Sequence, residues 1–131
     1  MSSSSVVLDA SALLAMLHNE TGSDVVLEHM AGNDAYVCSV NLCEVASKFD
    51  ELGKSAEDFR VSFGELGIAV KGFDEALALD TAKLRKKTRE LGLSLGDRAC
   101  IALSKKMDCV AVTADSAWQS LDDEFKIALI R

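Results

Sequence analysis

The chain has 131 residues, is 49% hydrophobic and 27% charged, and carries a formal net charge of −7. That length suits one compact domain, and the apolar fraction is too high for a disordered chain. The four cysteines (Cys38, Cys43, Cys100 and Cys109) show no C-x-x-C spacing, and His18 and His29 are the only histidines, so neither a disulfide framework nor a zinc site is expected.

No segment approaches the roughly 20 apolar residues that a membrane helix needs. Met1-Ser-Ser-Ser-Ser5 lacks the positive charge and long apolar run of a secretory leader. The expectation is a cytoplasmic protein with a frayed tail over residues 1–5 and one domain over residues 6–131.

In chain order, Val6-Val7-Leu8 reads as a short buried strand, followed by helices over residues 11–17 and 24–31 with Gly22 between them. A second strand, residues 35–38, leads into a helix over 41–52 closed by Gly53, and then a helix over 55–66. Residues 68–71 form a third strand. A long helix over 74–91 has Leu77, Leu84 and Leu91 at heptad spacing and Gly92 as its stop. A helix over 96–107, a strand over 109–113, a short helix over 116–121 and a last strand over 126–130 complete the chain. Short apolar strands alternating with longer helices indicate an α/β domain, a three-layer α/β/α sandwich around a mostly parallel sheet.

The negative total argues at first against a nucleic-acid partner, but the charge is unevenly placed. Residues 1–70 carry 3 basic and 11 acidic side chains, whereas residues 71–131 carry 11 basic and 10 acidic. Lys83, Arg85, Lys86, Lys87 and Arg89 crowd into one stretch, which leaves a local phosphate-binding surface open. Lys83, Lys86 and Lys87 fall partly on one helical face. They read either as an RNA backbone contact or as a solvated helix exterior.

Four acids fall where an open parallel sheet binds ligands, beyond the carboxyl ends of its strands. Asp9 follows the first strand directly, Asp115 lies just past the fourth, Glu44 sits early in the helix after the second, and Asp97 opens the helix before the fourth. Taken singly, each also fits a helix start: Asp9 and Asp115 as N-caps, Asn41-x-x-Glu44 and Ser94-x-x-Asp97 as capping boxes. Taken together on one rim, they would repel, by roughly 4 kcal/mol for two carboxylates about 4 Å apart at an effective dielectric near 20. Such a set needs cations. Hard oxygen ligands without His or Cys suit Mg²⁺ or Mn²⁺, which clamp a phosphodiester and activate water.

These segments resemble the motifs of PIN-domain nucleases. Val7-Leu-Asp9-Ala-Ser11-Ala-Leu-Leu14 is similar to their first-strand motif and Ser39-Val-Asn41-Leu-Cys-Glu44-Val to their second. Gly92-Leu-Ser94-Leu-Gly96-Asp97-Arg98-Ala-Cys-Ile-Ala-Leu103 resembles the third, in a form close to that of VapC-type toxins, and Val112-Thr113-Ala-Asp115-Ser-Ala-Trp118 the fourth. The resemblance implies a Mg²⁺- or Mn²⁺-dependent endoribonuclease acting on tRNA or ribosomal RNA, held inactive by an antitoxin protein, and a homodimer. Carried over motif by motif, Asp9, Asp97 and Asp115 would hold metal, and Glu44 would complete the catalytic cluster. Ser11, Asn41 and Thr113 would orient a carboxylate or a metal-bound water. Arg98 would touch RNA or balance local charge. Trp118 reads as a packing residue; Leu17, Leu27 and Met30 would line an antitoxin groove or belong to the core.

A housekeeping RNA-processing nuclease and a non-catalytic binding module with the acids kept as caps are the alternative readings. A phosphorelay receiver is excluded by position: it needs paired acids after the first strand and an acceptor Asp after the third, where this chain has Asp9 alone and Lys71-Gly72.

Overall fold

The computed structural model describes residues 4–131. Its elements run β1 (Ser4–Leu8), α1 (Ala10–Leu17), α2 (Ser23–Met30), β2 (Asn33–Cys38), α3 (Ser39–Glu51), α4 (Ala56–Gly64), β3 (Ala69–Lys71), α5 (Glu75–Lys87), α6 (Leu95–Lys106), β4 (Val110–Thr113) and β5 (Ile127–Leu129). Short 3₁₀ helices occupy Arg89–Leu91 and Ser116–Ser120. The strands form one sheet in the order β3-β2-β1-β4-β5, and every pair is parallel. Leu8 lies opposite Val37 on one side and Val112 on the other.

Alternation along the central strand divides the interior into two cores, because successive strand side chains point to opposite faces. Val6 and Leu8 face a cluster with Leu13, Val26, Val45, Phe49 and Phe59, drawn from α1 to α4. Val7 faces the other, with Leu77, Leu84, Ile101, Leu103, Trp118 and Phe125 from the α5–α6 side. The sheet is thus covered on both faces, as parallel sheets require, and the domain is a three-layer α/β/α sandwich. Full burial of a Leu or Val side chain stabilises by about 1.5–3 kcal/mol, so β1, whose Val7 and Leu8 are wholly buried, anchors both layers.

Several boundaries differ from the sequence-based expectation for physical reasons. Ser4 and Ser5, expected in the tail, belong to β1 and pair with Asn33 and Asp34; the rest of the expected tail, residues 1–3, lies outside the described residues. The long helix expected to Leu91 ends as α-helix at Lys87. There the hydroxyl of Thr88 donates to the Leu84 carbonyl, and one 3₁₀ turn follows before Gly92 in the left-handed region. The segment after Asp115 is 3₁₀ rather than α. Gly22, with φ of +98°, packs so closely on Ile130 that a Cβ would lie 2.7 Å from the Ile130 carbonyl oxygen. This contact ties the start of α2 to the chain end, and a side chain there would be strained.

β1 and β4 are neighbours in the sheet while the chain departs from them in opposite directions, toward β2 and β5. This is the topological switch point of the sheet, where a crevice opens beyond the strand ends. Asp9 and Thr113 stand at that edge.

A candidate acidic site at the strand ends

Asp9 ends β1 and is held there by its own backbone, whose N–H donates to Val112 of β4 at 3.1 Å. Its carboxylate is 4% exposed residue surface and is wrapped by donors. Oδ1 accepts from the Ala12 N–H at 2.8 Å and the Ser11 hydroxyl at 2.7 Å, and Oδ2 accepts from the Thr113 hydroxyl. Each donor is itself positioned: Ser11 Oγ accepts from the Ala114 N–H at 2.9 Å, and Thr113 Oγ1 from the Asp115 N–H at 3.0 Å. All of these donors are neutral. Burial therefore raises the Asp9 carboxyl to about 6, the three hydrogen bonds opposing that rise and the charge of Asp97 adding to it.

Glu44 lies on the outer face of α3, but its carboxyl rests against α6. A Cβ on Gly96 would lie 2.6 Å from Glu44 Cδ, so the carboxyl occupies the space that any other residue there would fill. Asn41, 1% exposed, clamps the pair: its Nδ2 donates to Glu44 Oε1 and to the Gly96 carbonyl, both at 3.0 Å. Two acceptors on Nδ2 settle which way the amide points, and they leave Asn41 Oδ1 buried without a partner. Desolvation against the protein raises the Glu44 carboxyl, the Asn41 N–H lowers it, and the charge of Asp97 raises it further.

Asp97 is therefore the charge felt by both other acids. It stands in the first turn of α6 in a capping box, Oδ2 accepting from the Ser94 N–H at 3.0 Å while Ser94 Oγ accepts from its own N–H at 3.1 Å. Asp115 is exposed, and its Oδ1 accepts from the Ala117 N–H at 3.0 Å. It joins the group through Thr113, whose single hydroxyl connects the Asp115 backbone to the Asp9 carboxylate. Beneath them, Cys100 is fully buried with its thiol pushed well up by desolvation and by the nearby acids, and it stays neutral.

The capping and site readings are thus not exclusive. Asp9, Asp97 and Asp115 all cap, yet Asp97 is within the field of Asp9, and Thr113 links Asp9 to the Asp115 backbone. Glu44, which the sequence also allowed as part of a capping box, does not cap: α3 starts at Ser39 after Cys38, which makes no side-chain cap bond. The Asn41–Glu44 pair serves instead to join α3 to α6. Gly96, part of the third motif, is the seat of the Glu44 carboxyl, a role that the sequence reading did not give it.

The donor set consists of carboxylate, hydroxyl and amide oxygens, suited to a hard divalent cation, and the unpartnered Asn41 Oδ1 is a further free acceptor beside it. Among the described residues, no three Asp, Glu, His or Cys side chains are already drawn together as a ligand set.

The basic residues separate. Lys83 and Lys87 line a cleft of about 500 Å³ with Lys105 and Lys106, where Glu124 pairs with Lys87 and, at 3.2 Å, with Lys105. Lys86 is exposed on the same helix. Arg98 is buried, at 7% exposed, and its guanidinium donates to the Thr81 carbonyl on α5 at 3.4 Å. It does not balance charge in an ion pair among the described residues. Trp118 is wholly buried and offers no stacking face, and Leu17 and Met30 are partly buried on the first core while Leu27 is 56% exposed.

A parallel sheet carrying acids at its switch point defines an α/β domain with a carboxylate site. The PIN domain family model matches residues 6–124, and the chain belongs to that family. Its fold matches a chain of VapBC2 from Rickettsia felis, solved bound to a DNA fragment from their promoter, with TM-score 0.76, 13% identity, and 95% of this chain and 98% of that one covered. DNA-bound VapBC from Salmonella typhimurium matches with TM-score 0.75 and 15% identity over 98% of this chain and 99% of that one. VapBC-5 from Mycobacterium tuberculosis, from a toxin–antitoxin family, matches with TM-score 0.61 and 20% identity over 98% of each chain. None of the curated proteins matches the chain in sequence.

Proposed function

We propose that this chain is a divalent-cation-dependent endoribonuclease of the VapC type, the toxin of a toxin–antitoxin pair. The observation that carries the reading is Asp9: a buried carboxylate at the β1–β4 switch point, held by neutral donors only and within the field of Asp97. A protein does not retain such an unbalanced charge without cost unless a ligand compensates it.

In this reading Asp9, Asp97 and Asp115 hold Mg²⁺ or Mn²⁺ and Glu44 completes the cluster. The bound ion would supply charge stabilisation to a phosphodiester and a more acidic water. The chain's own residues do the rest. Ser11 and Thr113 keep the Asp9 carboxylate in one orientation, and Asn41 with Gly96 keeps Glu44 in place. Asn41 Oδ1 is an acceptor for a water within that group. The target class is structured RNA such as tRNA or ribosomal RNA. The partner is a cognate antitoxin, for which exposed Leu27 on α2 offers an apolar anchor. The setting is the cytoplasm; no helix among the described residues is long and apolar enough to cross a membrane. A homodimer belongs to the same reading.

Incubation with RNA and Mg²⁺ or Mn²⁺ tests it: the wild-type chain cleaves, chelation stops it, and Asp97→Asn abolishes cleavage with its melting temperature kept. Undiminished cleavage by Asp97→Asn removes the reading. A second reading, a non-catalytic module, is favoured by the capping bonds on Asp9, Asp97 and Asp115 and by the absence of a ready ligand set among the described residues. No cleavage together with no Mn²⁺ binding by calorimetry decides for it.

A further inference from the structure

Next to the acids, the end of α5 and the start of α6 enclose a cleft of about 240 Å³ whose lining includes three arginines, Arg85, Arg89 and Arg98, and no carboxylate. Arg85, on α5, and Arg89, in the 3₁₀ turn that follows it, are both exposed and both line the cleft. Arg98 comes from α6 and is 93% buried by its 7% exposure, with Nε lacking any partner. Ser94 and Leu95, at the N-terminus of α6, form the opposite lip. None of the three arginines forms an ion pair among the described residues. The neighbouring lysine cleft shows the contrast, since its Lys87 and Lys105 share Glu124.

Like charges do not gather around a cavity without a counter-charge, and a half-satisfied guanidinium is costly to bury. Arginine forks match the oxygens of a phosphate. A cleft of this size has room for a tetrahedral anion with part of its hydration. Because Arg98 directly follows Asp97, an anion there lies one residue along the helix from the acidic site.

We infer that the Arg85–Arg89–Arg98 cleft is a phosphate subsite, holding a backbone phosphate of the RNA strand adjacent to the phosphodiester at the acids. The inference rests on the ribonuclease reading for the identity of the strand. The subsite gives the site a register: it grips the strand beside the point of cleavage, where the acids themselves repel phosphate.

The test uses the full chain carrying Asp97→Asn, so that RNA is bound and not cut, with a fluorescent single-stranded RNA of mixed sequence and Mg²⁺ present. Arg85→Gln with Arg89→Gln changes only exposed side chains and leaves Arg98 and the fold in place. The double change is expected to weaken RNA binding about tenfold or more, as loss of charge-assisted bonds does. The slope of log affinity against log salt is expected to fall by about 0.7 for the one phosphate released. Removing equal charge at Lys54 and Arg60, far along the chain on the α3–α4 side, leaves the slope unchanged. Inorganic phosphate at constant ionic strength displaces RNA from the arginine-intact chain and has no such effect on the double variant.

An unchanged affinity and slope in the double variant overturns the subsite. So does an equal loss in the Lys54 and Arg60 control, which makes the effect one of total charge. Phosphate that raises the melting temperature through these arginines without displacing RNA assigns the cleft to a free anion instead. Failure of the ribonuclease reading is seen separately, as cleavage that is absent in the wild-type chain or persists in Asp97→Asn.

Discussion

The acidic corner and the α5–α6 flank handle charge in opposite ways. At the corner, Asp9 is buried among hydroxyls and one backbone N–H, with no cationic partner among the described residues, and its carboxyl rises to about 6. On the flank, Lys87 and Lys105 converge on Glu124, whose carboxyl is lowered by both, and Lys126 pairs with Asp108 at 2.9 Å. Paired exposed charges of this kind contribute little to stability and are solved within the fold. Charges left without a counter-ion are where a ligand supplies the balance. The acidic and basic groups without an ion-pair partner among the described residues are Asp9 with Asp97 and the three arginines, and Asp97 and Arg98 are adjacent in the first turn of α6.

The largest effect expected from breaking this contrast is on activity. Asp97→Asn keeps the capping geometry and removes one charge felt by both Asp9 and Glu44, and cleavage is expected to drop on the order of a thousandfold or more, the several kcal/mol that a metal site supplies. Cleavage assays on a labelled RNA check it. Next comes the pH dependence of stability in the metal-free chain. Burial pushes the folded Asp9 carboxyl up to about 6 from its ordinary 3.8, so the folded state binds the proton more tightly than the unfolded chain. That contribution is fully present below pH 4 and is lost as pH rises through about 6. The gap of about two pH units is worth about 3 kcal/mol. Chemical denaturation between pH 4 and 7.5 is expected to show the decline, Asp9→Asn to flatten it, and Mg²⁺ to restore stability at the upper end.

A smaller effect separates placement from folding. Gly96→Ala puts a methyl where the Glu44 carboxyl rests, and that carboxyl, at the end of a flexible side chain, swings away. Activity is expected to fall about 10- to 100-fold, as for other supporting contacts of a metal site. Helix propensity meanwhile raises stability by up to about 1 kcal/mol. A variant that is more stable and less active marks a seat for Glu44; equal losses in both mark a packing position. Smallest of all, Glu124→Gln releases Lys87 and Lys105 and is expected to leave the melting temperature nearly unchanged while strengthening RNA binding at low salt.

What could be read from the residues beforehand follows the reach of the interactions involved. The five strands, the three layers and the strand-end positions of Asp9 and Asp115 depend on local hydrophobic pattern and chain order, and they were legible. Ser11 and Thr113 were legible as orienting hydroxyls because the motifs placed them two residues from Asp9 and Asp115. The Asn41–Glu44 spacing left two readings open, since the same three-residue step serves a capping box and a clamp; which one forms depends on Gly96, 55 residues from Asn41. The burial of Arg98 and the break at Thr88 depend on how α5 packs against α6, which a helical pattern does not reveal. The arginine cleft joins residues on both sides of that hairpin.

The central claim is that Asp9, Asp97 and Asp115, with Glu44, make one cation site on which a phosphodiester is cut. The most direct measurement is a crystal of the full chain grown with Mn²⁺ near neutral pH and read by anomalous scattering. A manganese peak held by Asp9 and Asp97, with Asp115 or Glu44 reaching it directly or through water, is the predicted result. Density without manganese at these carboxylates at millimolar Mn²⁺, each still bonded only as a helix cap, would contradict it.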